Sequence, residues 1–183
     1  MARRIAYTGD PVLSVEDVAQ QCRLDVEDLQ VELIERVIIP GVTQQAEVLS
    51  GAAIRTAEYE EHWPESRSSG HALDMGQANE VIEVSRVEAD GSLQVLEVVT
   101  RLQERGRETH LYFPAGRPAG ELMLRYSAGT DLEQHPGVRS WLLMHAATAH
   151  EYRETLITGA SLSALPGSFL DALLADITVP PRF

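Results

Sequence analysis

Residues 136–156, PGVRSWLLMHAATAHEYRETL, set the terms for the rest of the chain. At helical spacing Val138, Trp141, Leu142, His145, Ala149, Tyr152 and Leu156 fall on one stripe, which predicts a helix with that face turned to a core. Leu143, Met144 and Ala147 lie on the flank, where a solitary subunit would carry charge. A second, partial apolar face predicts a neighbour as well as a core, and makes Leu143, Met144 and Ala147 the candidate surface for contact with another subunit.

Upstream of this helix the pattern changes twice. The opening segment reads as a flexible arm with a turn at Gly9-Asp10-Pro11. Ser14 with Asp17 three residues on predicts a capped helix start, with Leu13 able to pack on Val18. A second helix begins near Glu27-Asp28, carrying Leu29, Leu33, Ile34, Val37 and Ile38 on one side. Pro40-Gly41 predicts a kink or a fresh start before helical character resumes and stops at Ser50-Gly51.

From about Arg55 to Tyr126 the period shortens to that of strands. Residues 81–88 and 93–100 flank Ala89-Asp90-Gly91-Ser92, a strong hairpin signal. Residues 111–113 form another short strand, and residues 121–126 alternate, with Leu122, Leu124 and Tyr126 on one face. Past the central helix, a linker over residues 159–167 leads to a short helix opened by Ser168, with Phe169, Leu170, Leu173, Leu174 and Ile177 as its apolar face. Val179-Pro180-Pro181-Arg182-Phe183 cannot be helical and reads as extended.

The reading is thus α+β: an α-helical core of three to four helices, a small inserted antiparallel β subdomain and an extended C-terminal tail. It divides into an arm and helices over residues 1–54, the β insertion over 55–130, the central helix over 131–160, and linker, short helix and tail over 161–183.

Charge narrows the function. Acidic residues outnumber basic ones 28 to 15, for a formal net charge of −13, and every basic residue is arginine. Phosphate binding depends on concentrated cations that release counterions, so such a chain is a poor nucleic-acid binder. Its densest basic run, Arg101, Arg105 and Arg107, is interrupted by Glu104 and Glu108 and reads as solvated. No apolar run approaches bilayer length, no secretory signal follows the N-terminal arginines, and Cys22 has no partner for an internal disulfide.

Chemistry-bearing patterns are weak. His145, His150 and Glu151 do not make a zinc motif, because the histidines stand five apart rather than the four that one helix face requires. His71 and Asp74, with Glu58, Glu60, Glu61 and His62, form the one acidic and histidine cluster that a metal-dependent hydrolase could use. Alternating charge on short strands ordinarily faces water. Gly116 and Gly120 precede no helix, and no nucleophile elbow surrounds Ser161, Ser163 or Ser168. No catalytic residue, metal ligand or cofactor is assigned.

Several segments together resemble the phage head–tail connector (adaptor) family, in its longer form with a β insertion between the helices. They are the short first helix, Arg23-Leu24-Asp25, Glu27-Asp28, the helix closing at Ser50-Gly51-Ala52-Ala53-Ile54, Tyr126-Ser127-Ala128-Gly129 before the Pro136 helix, His150 through Glu154, Leu165-Pro166-Gly167, and Leu173-Leu174. Two positions depart from the family pattern: Pro40-Gly41 interrupts a helix that usually runs on, and Tyr152 stands where asparagine is common.

The resemblance implies a ring of about twelve copies in the virion neck, docked under a portal protein and above a downstream neck or tail protein. It implies assembly in the bacterial host cytoplasm and no membrane association. DNA would pass through the channel without specific binding, which suits an acidic lumen. The docking candidates on this reading are Phe169, Leu170, Leu173, Leu174, Ile177, Val179, Pro180, Pro181, Arg182 and Phe183. A neck stopper or tail-completion protein is the alternative within the same class.

Overall fold

The structure is a computed structural model that describes residues 2–152 and 166–181. In chain order it runs β1 (Arg3–Tyr7), α1 (Val15–Cys22), a 3-10 turn (Val26–Asp28), α2 (Val31–Leu33), a π turn (Ile34–Ile38), α3 (Ile39–Ser50), β2 (Ala57–Trp63), β3 (His71–Ala72), β4 (Ala78–Val87), β5 (Leu93–Val95), β6 (Arg101–Arg105), β7 (Glu108–Tyr112), β8 (Leu122–Ala128), α4 (Pro136–Glu151) and α5 (Gly167–Leu174). The chain is a mixed α+β protein with two compact units. One comprises Met1–Asp10, Gly51–Thr130 and Ile177–Phe183; the other comprises Pro11–Ser50 and Asp131–Asp176.

The first unit is built from antiparallel sheets. Five strands lie in the order β1-β2-β8-β4-β5, and three more in the order β3-β7-β6. β8 is central because its alternation is cleanest: Leu122, Leu124, Tyr126 and Ala128 are wholly buried on one face, each large apolar side chain contributing about 1.5–3 kcal/mol. The expected hairpin joins β4 to β5. Gly91 supplies the left-handed backbone (φ 82°), and Asp90 Oδ1 accepts from the Ser92 amide and hydroxyl at 2.9 and 2.6 Å.

The opening residues differ from the expectation of a flexible arm. They form edge strand β1, paired with β2 in a register of Arg3↔Glu60 and Tyr7↔Ala57. Their partner lies some fifty residues on, so no local pattern announces the pairing. The other end of this unit also tucks in: Ile177 is fully buried, and Val179 packs against Gly51 and Gly76.

The second unit is helical. At the start of α1, Asp17 N–H donates to Ser14 Oγ (3.1 Å) and Ser14 N–H to Asp17 Oδ2 (3.0 Å), the capping box the sequence predicts. Asp17 Oδ1 also accepts from Arg139 of α4 at 2.7 Å, tying the first helix to the central one.

Pro40 does not restart the helix. A proline ring meets the carbonyl four residues back; here the preceding turn widens to π geometry over Ile34–Ile38, which gives room, and the helix continues into α3.

In α4 the buried stripe is Val138, Trp141, Leu142 and Ala146. His145 and Ala149 are half-buried and Tyr152, at the helix cap, is exposed, so the stripe turns toward Ala146 beyond its first two turns. Leu156 lies outside the described residues. Gly137 allows α5 to approach closely, since a Cβ there would stand 2.8 Å from the Leu173 carbonyl oxygen.

Candidate functional site

The acidic and histidine cluster is dispersed by β2. Strand alternation sends Glu58, Glu60 and His62 to one face and Ala57, Tyr59, Glu61 and Trp63 to the buried one. Outward, Glu58 accepts from Arg125 Nη2 at 2.6 Å, Glu60 pairs with Arg3 at 2.7 Å, and His62 faces Glu121 at 3.1 Å. His71 stands edge-on to Trp63, ring centres 5.9 Å apart.

Glu61 is different in kind. Its side chain is fully buried and receives four donors. Oε1 accepts from Trp63 Nε1 (2.7 Å) and from Arg67 Nη1; Oε2 accepts from the Asp74 amide (2.9 Å) and Tyr126 Oη (2.8 Å). Arg67 bridges onward to Asp74 Oδ1 at 2.8 Å.

Burial pushes the Glu61 carboxyl above its ordinary value, and the charge of Asp74 adds to this, while the bonds from the Asp74 amide, Tyr126 and Trp63 act the other way. Burial, with the charge of Glu61, pushes the Tyr126 hydroxyl well above its ordinary value, which keeps it a donor. With two donors on each oxygen, Glu61 has no acceptor direction left for a substrate or metal, and the network pins β2, β8 and the loop after β2 together. Among the described residues, no group of three or more His, Cys, Asp or Glu side chains is placed to hold a metal ion.

The run of acidic residues groups Glu61 with its outward neighbours. The signal that separates it is parity: Tyr59 and Trp63 flank it at two-residue steps, on the apolar side of the strand.

On α4, His145 stacks on Trp141 with ring centres 3.6 Å apart and planes 16° apart. Its Nδ1 lies 2.9 Å from the Trp141 carbonyl, which can only accept, so Nδ1 carries the proton. That is a packed structural histidine.

The assembly candidates fall into two groups. Leu143, Met144 and Ala147 are half-buried together on the α4 flank. Of the docking candidates, Phe169 (49% exposed), Pro180 and Pro181 are exposed, and Leu170, Leu173 and Val179 are half-buried. Leu174 and Ile177 are instead buried within the chain, at 4% and 0% exposure, because α5 and the turn after it close onto its own interior; they are not available to a partner. Arg182 and Phe183, like Ser161 and Ser163 of the linker, lie outside the described residues. No described helix is long and apolar enough to cross a membrane.

These features define a mixed α+β chain with a saturated buried carboxylate and several half-exposed apolar flanks. A scan against protein-family models finds no match, and a search of curated proteins finds none either. Among solved structures, the whole chain is similar to a chain of the virion of a native gene transfer agent (GTA) particle, with TM-score 0.76, 14% identity and 97% of that chain covered. It is equally similar in fold to a chain from the neck of an empty GTA particle computed with C6 symmetry (TM-score 0.74, 12% identity, 97% of that chain). A chain from the neck of a native GTA particle computed with C12 symmetry follows, with TM-score 0.63, 13% identity and 98% of that chain. The fold is shared with these three chains over nearly their whole length.

Proposed function

We propose that this chain is a structural subunit of a virion neck: the adaptor ring, of about twelve copies, that joins a DNA-filled head to its tail and lets the genome pass. The observation that carries the reading is the full-length likeness to chains from neck structures computed with C6 and C12 symmetry. The net charge of −13 per copy supports it, since an acidic channel repels phosphate rather than gripping it. The saturated Glu61 network supports a role without chemistry of its own.

On this reading Leu143, Met144 and Ala147 meet a neighbouring copy, while Phe169, Leu170, Leu173, Val179, Pro180 and Pro181 with Arg182 and Phe183 dock the portal or a neighbour. Electron microscopy of particle necks is the direct test, and a neck that lacks this chain ends the proposal. Leu143→Asp or Met144→Asp blocks assembly while leaving the circular dichroism of the subunit unchanged; normal assembly by both removes that flank from the contact. Phe169→Asp tests docking more cleanly than truncation, because truncation would also remove the buried Leu174 and Ile177.

A stopper or tail-completion subunit is the second reading, since the likeness to chains from neck structures names the neck and no layer within it. Binding to isolated portal rings rather than to tail tubes separates the two.

A further inference from the structure

We propose that the exposed face of the β6–β7 hairpin is a contact for the phosphate backbone of DNA, independent of base sequence. The inference rests on the neck reading for where that DNA comes from, and adds which surface of the chain meets it.

Most arginines of this chain are already engaged. Arg3, Arg36, Arg67, Arg125 and Arg139 are ion-paired to Glu60, Glu32, Glu61, Glu58 and Asp17. Arg55, Arg86 and Arg117 donate to backbone carbonyls, and Arg4 to Tyr7 Oη. Among the described arginines only Arg23, Arg101, Arg105 and Arg107 make neither an ion pair nor a side-chain hydrogen bond. Acidic residues outnumber basic ones 28 to 15, so a guanidinium left without a carboxylate is the exception here. Arg101, Arg105 and Arg107 share one hairpin.

Strand parity sorts the charges. β6 pairs with β7 in the register Arg101↔Tyr112, Gln103↔His110 and Arg105↔Glu108, so these side chains share one face. Glu104 pairs with Thr109 and goes to the other face, with Leu102 and the buried Leu111. Glu108, the acid on the arginine face, stands 3.9 Å from His110 Nε2. A two-residue turn closes the hairpin: Gly106 takes the left-handed backbone (φ 66°), and Arg107 is exposed at the tip. Face and tip together therefore carry Arg101, Arg105 and Arg107 against Glu108 alone. β6 is the last strand of its sheet, and Arg101, Gln103 and Arg105 are exposed.

The aromatic ring decides between two anionic partners. A carboxylate-bearing protein surface, a second copy included, needs guanidiniums and no ring. Here Tyr112 lies across from Arg101, half-buried, with the Arg105 guanidinium 5.5 Å from its ring centre. Cations interleaved with an aromatic ring, and with Gln103 and His110 beside them, make the set that holds phosphate and packs on sugar or base.

The net charge of −13 does not forbid the contact. The Debye length at physiological salt is about 8 Å, so more distant carboxylates are largely screened, while a guanidinium touching a phosphate is not. Each such contact releases counterions from the DNA, and the few that one hairpin offers make a weak, sliding hold. That suits a channel whose contents must move.

The test uses the full-length chain and a short fluorescent DNA duplex of mixed sequence, followed by anisotropy over a salt series. The wild-type chain is expected to bind at low salt and to weaken as salt rises. The triple variant Arg101→Gln, Arg105→Gln, Arg107→Gln should bind about tenfold or more weakly at low salt, with a salt slope reduced by about 1 for each arginine removed. Arg23→Gln, at the free arginine outside the hairpin, should change neither. All these positions are exposed, so circular dichroism should stay as in the wild type. A triple variant that binds as tightly as the wild type overturns the proposal, and so does a wild-type chain that ignores DNA at low salt. Arginines that instead hold an acidic protein surface would show as a lost oligomer in native mass spectrometry with DNA binding unchanged, which also overturns it. Arginine-dependent DNA binding by a chain absent from particle necks keeps this contact and ends the neck reading; a chain present in necks and indifferent to DNA does the reverse.

Discussion

The chain has two tryptophans, one in each unit, and they sit in different kinds of interior. Trp63 is wholly buried in the sheet unit and donates its indole N–H to a buried carboxylate. Trp141 is as deeply buried in the helical unit, yet its neighbour is the face of His145. One interior is specified by hydrogen bonds that must all be met, the other by shape. A polar network tolerates little substitution because each deletion strands a partner without water, whereas a shape-built core relaxes around small changes.

The largest expected effect breaks the polar interior. Arg67→Ala leaves Glu61 buried without its cation and should cost about 3–5 kcal/mol in urea unfolding. The same carboxyl gives a pH signature. Its folded pKa lies above the ordinary 4.5, so the folded state holds the proton more tightly than the unfolded chain does. The stability this contributes is full below the ordinary value and is lost as pH rises through the folded one. The stability of the protein relative to Glu61→Gln should therefore fall as pH rises above the ordinary value; a flat difference would show the two states titrating alike.

A smaller effect compares the interiors directly. Trp63→Phe removes a donor to Glu61 and should cost about 1–3 kcal/mol more than Trp141→Phe, which keeps the ring against His145. Equal losses by thermal unfolding would mean that both sites are held by packing alone.

The smallest effects probe the helices. Gly137→Ala puts a methyl group against the Leu173 carbonyl and should destabilise by about 1–3 kcal/mol, partly offset by the better helix former. Gly41→Ala, in α3 with open space around it, should stabilise by about 0.5–1 kcal/mol. Opposite signs in a denaturant series would confirm that α4 is packed tightly where α3 is not.

How much was legible in the sequence follows the range of the interactions. The Ser14–Asp17 box, the hairpin at Asp90-Gly91 and the alternation of β8 are local, and each was readable because its partners lie within a few residues. β1 was not, since Arg3 meets Glu60 across the length of the helical segment. Pro40 misled for another reason: proline chemistry predicts a disturbed ladder, and the ladder is disturbed, but by a widened turn that no residue type marks. Glu61 was misplaced because an acidic residue among acidic residues looks solvated until strand parity is counted.

The boundaries of the two units at residues 10, 50, 130 and 176 carry a consequence for biosynthesis. Each unit is interrupted by the other, so neither can finish as the chain leaves the ribosome in order. β1 emerges before β2 and waits for it, and the segment that buries Ile177 emerges after β8. Until β2 follows, β1 is an unpaired strand facing water, and a nascent chain in that condition gains from delayed encounter with its sisters.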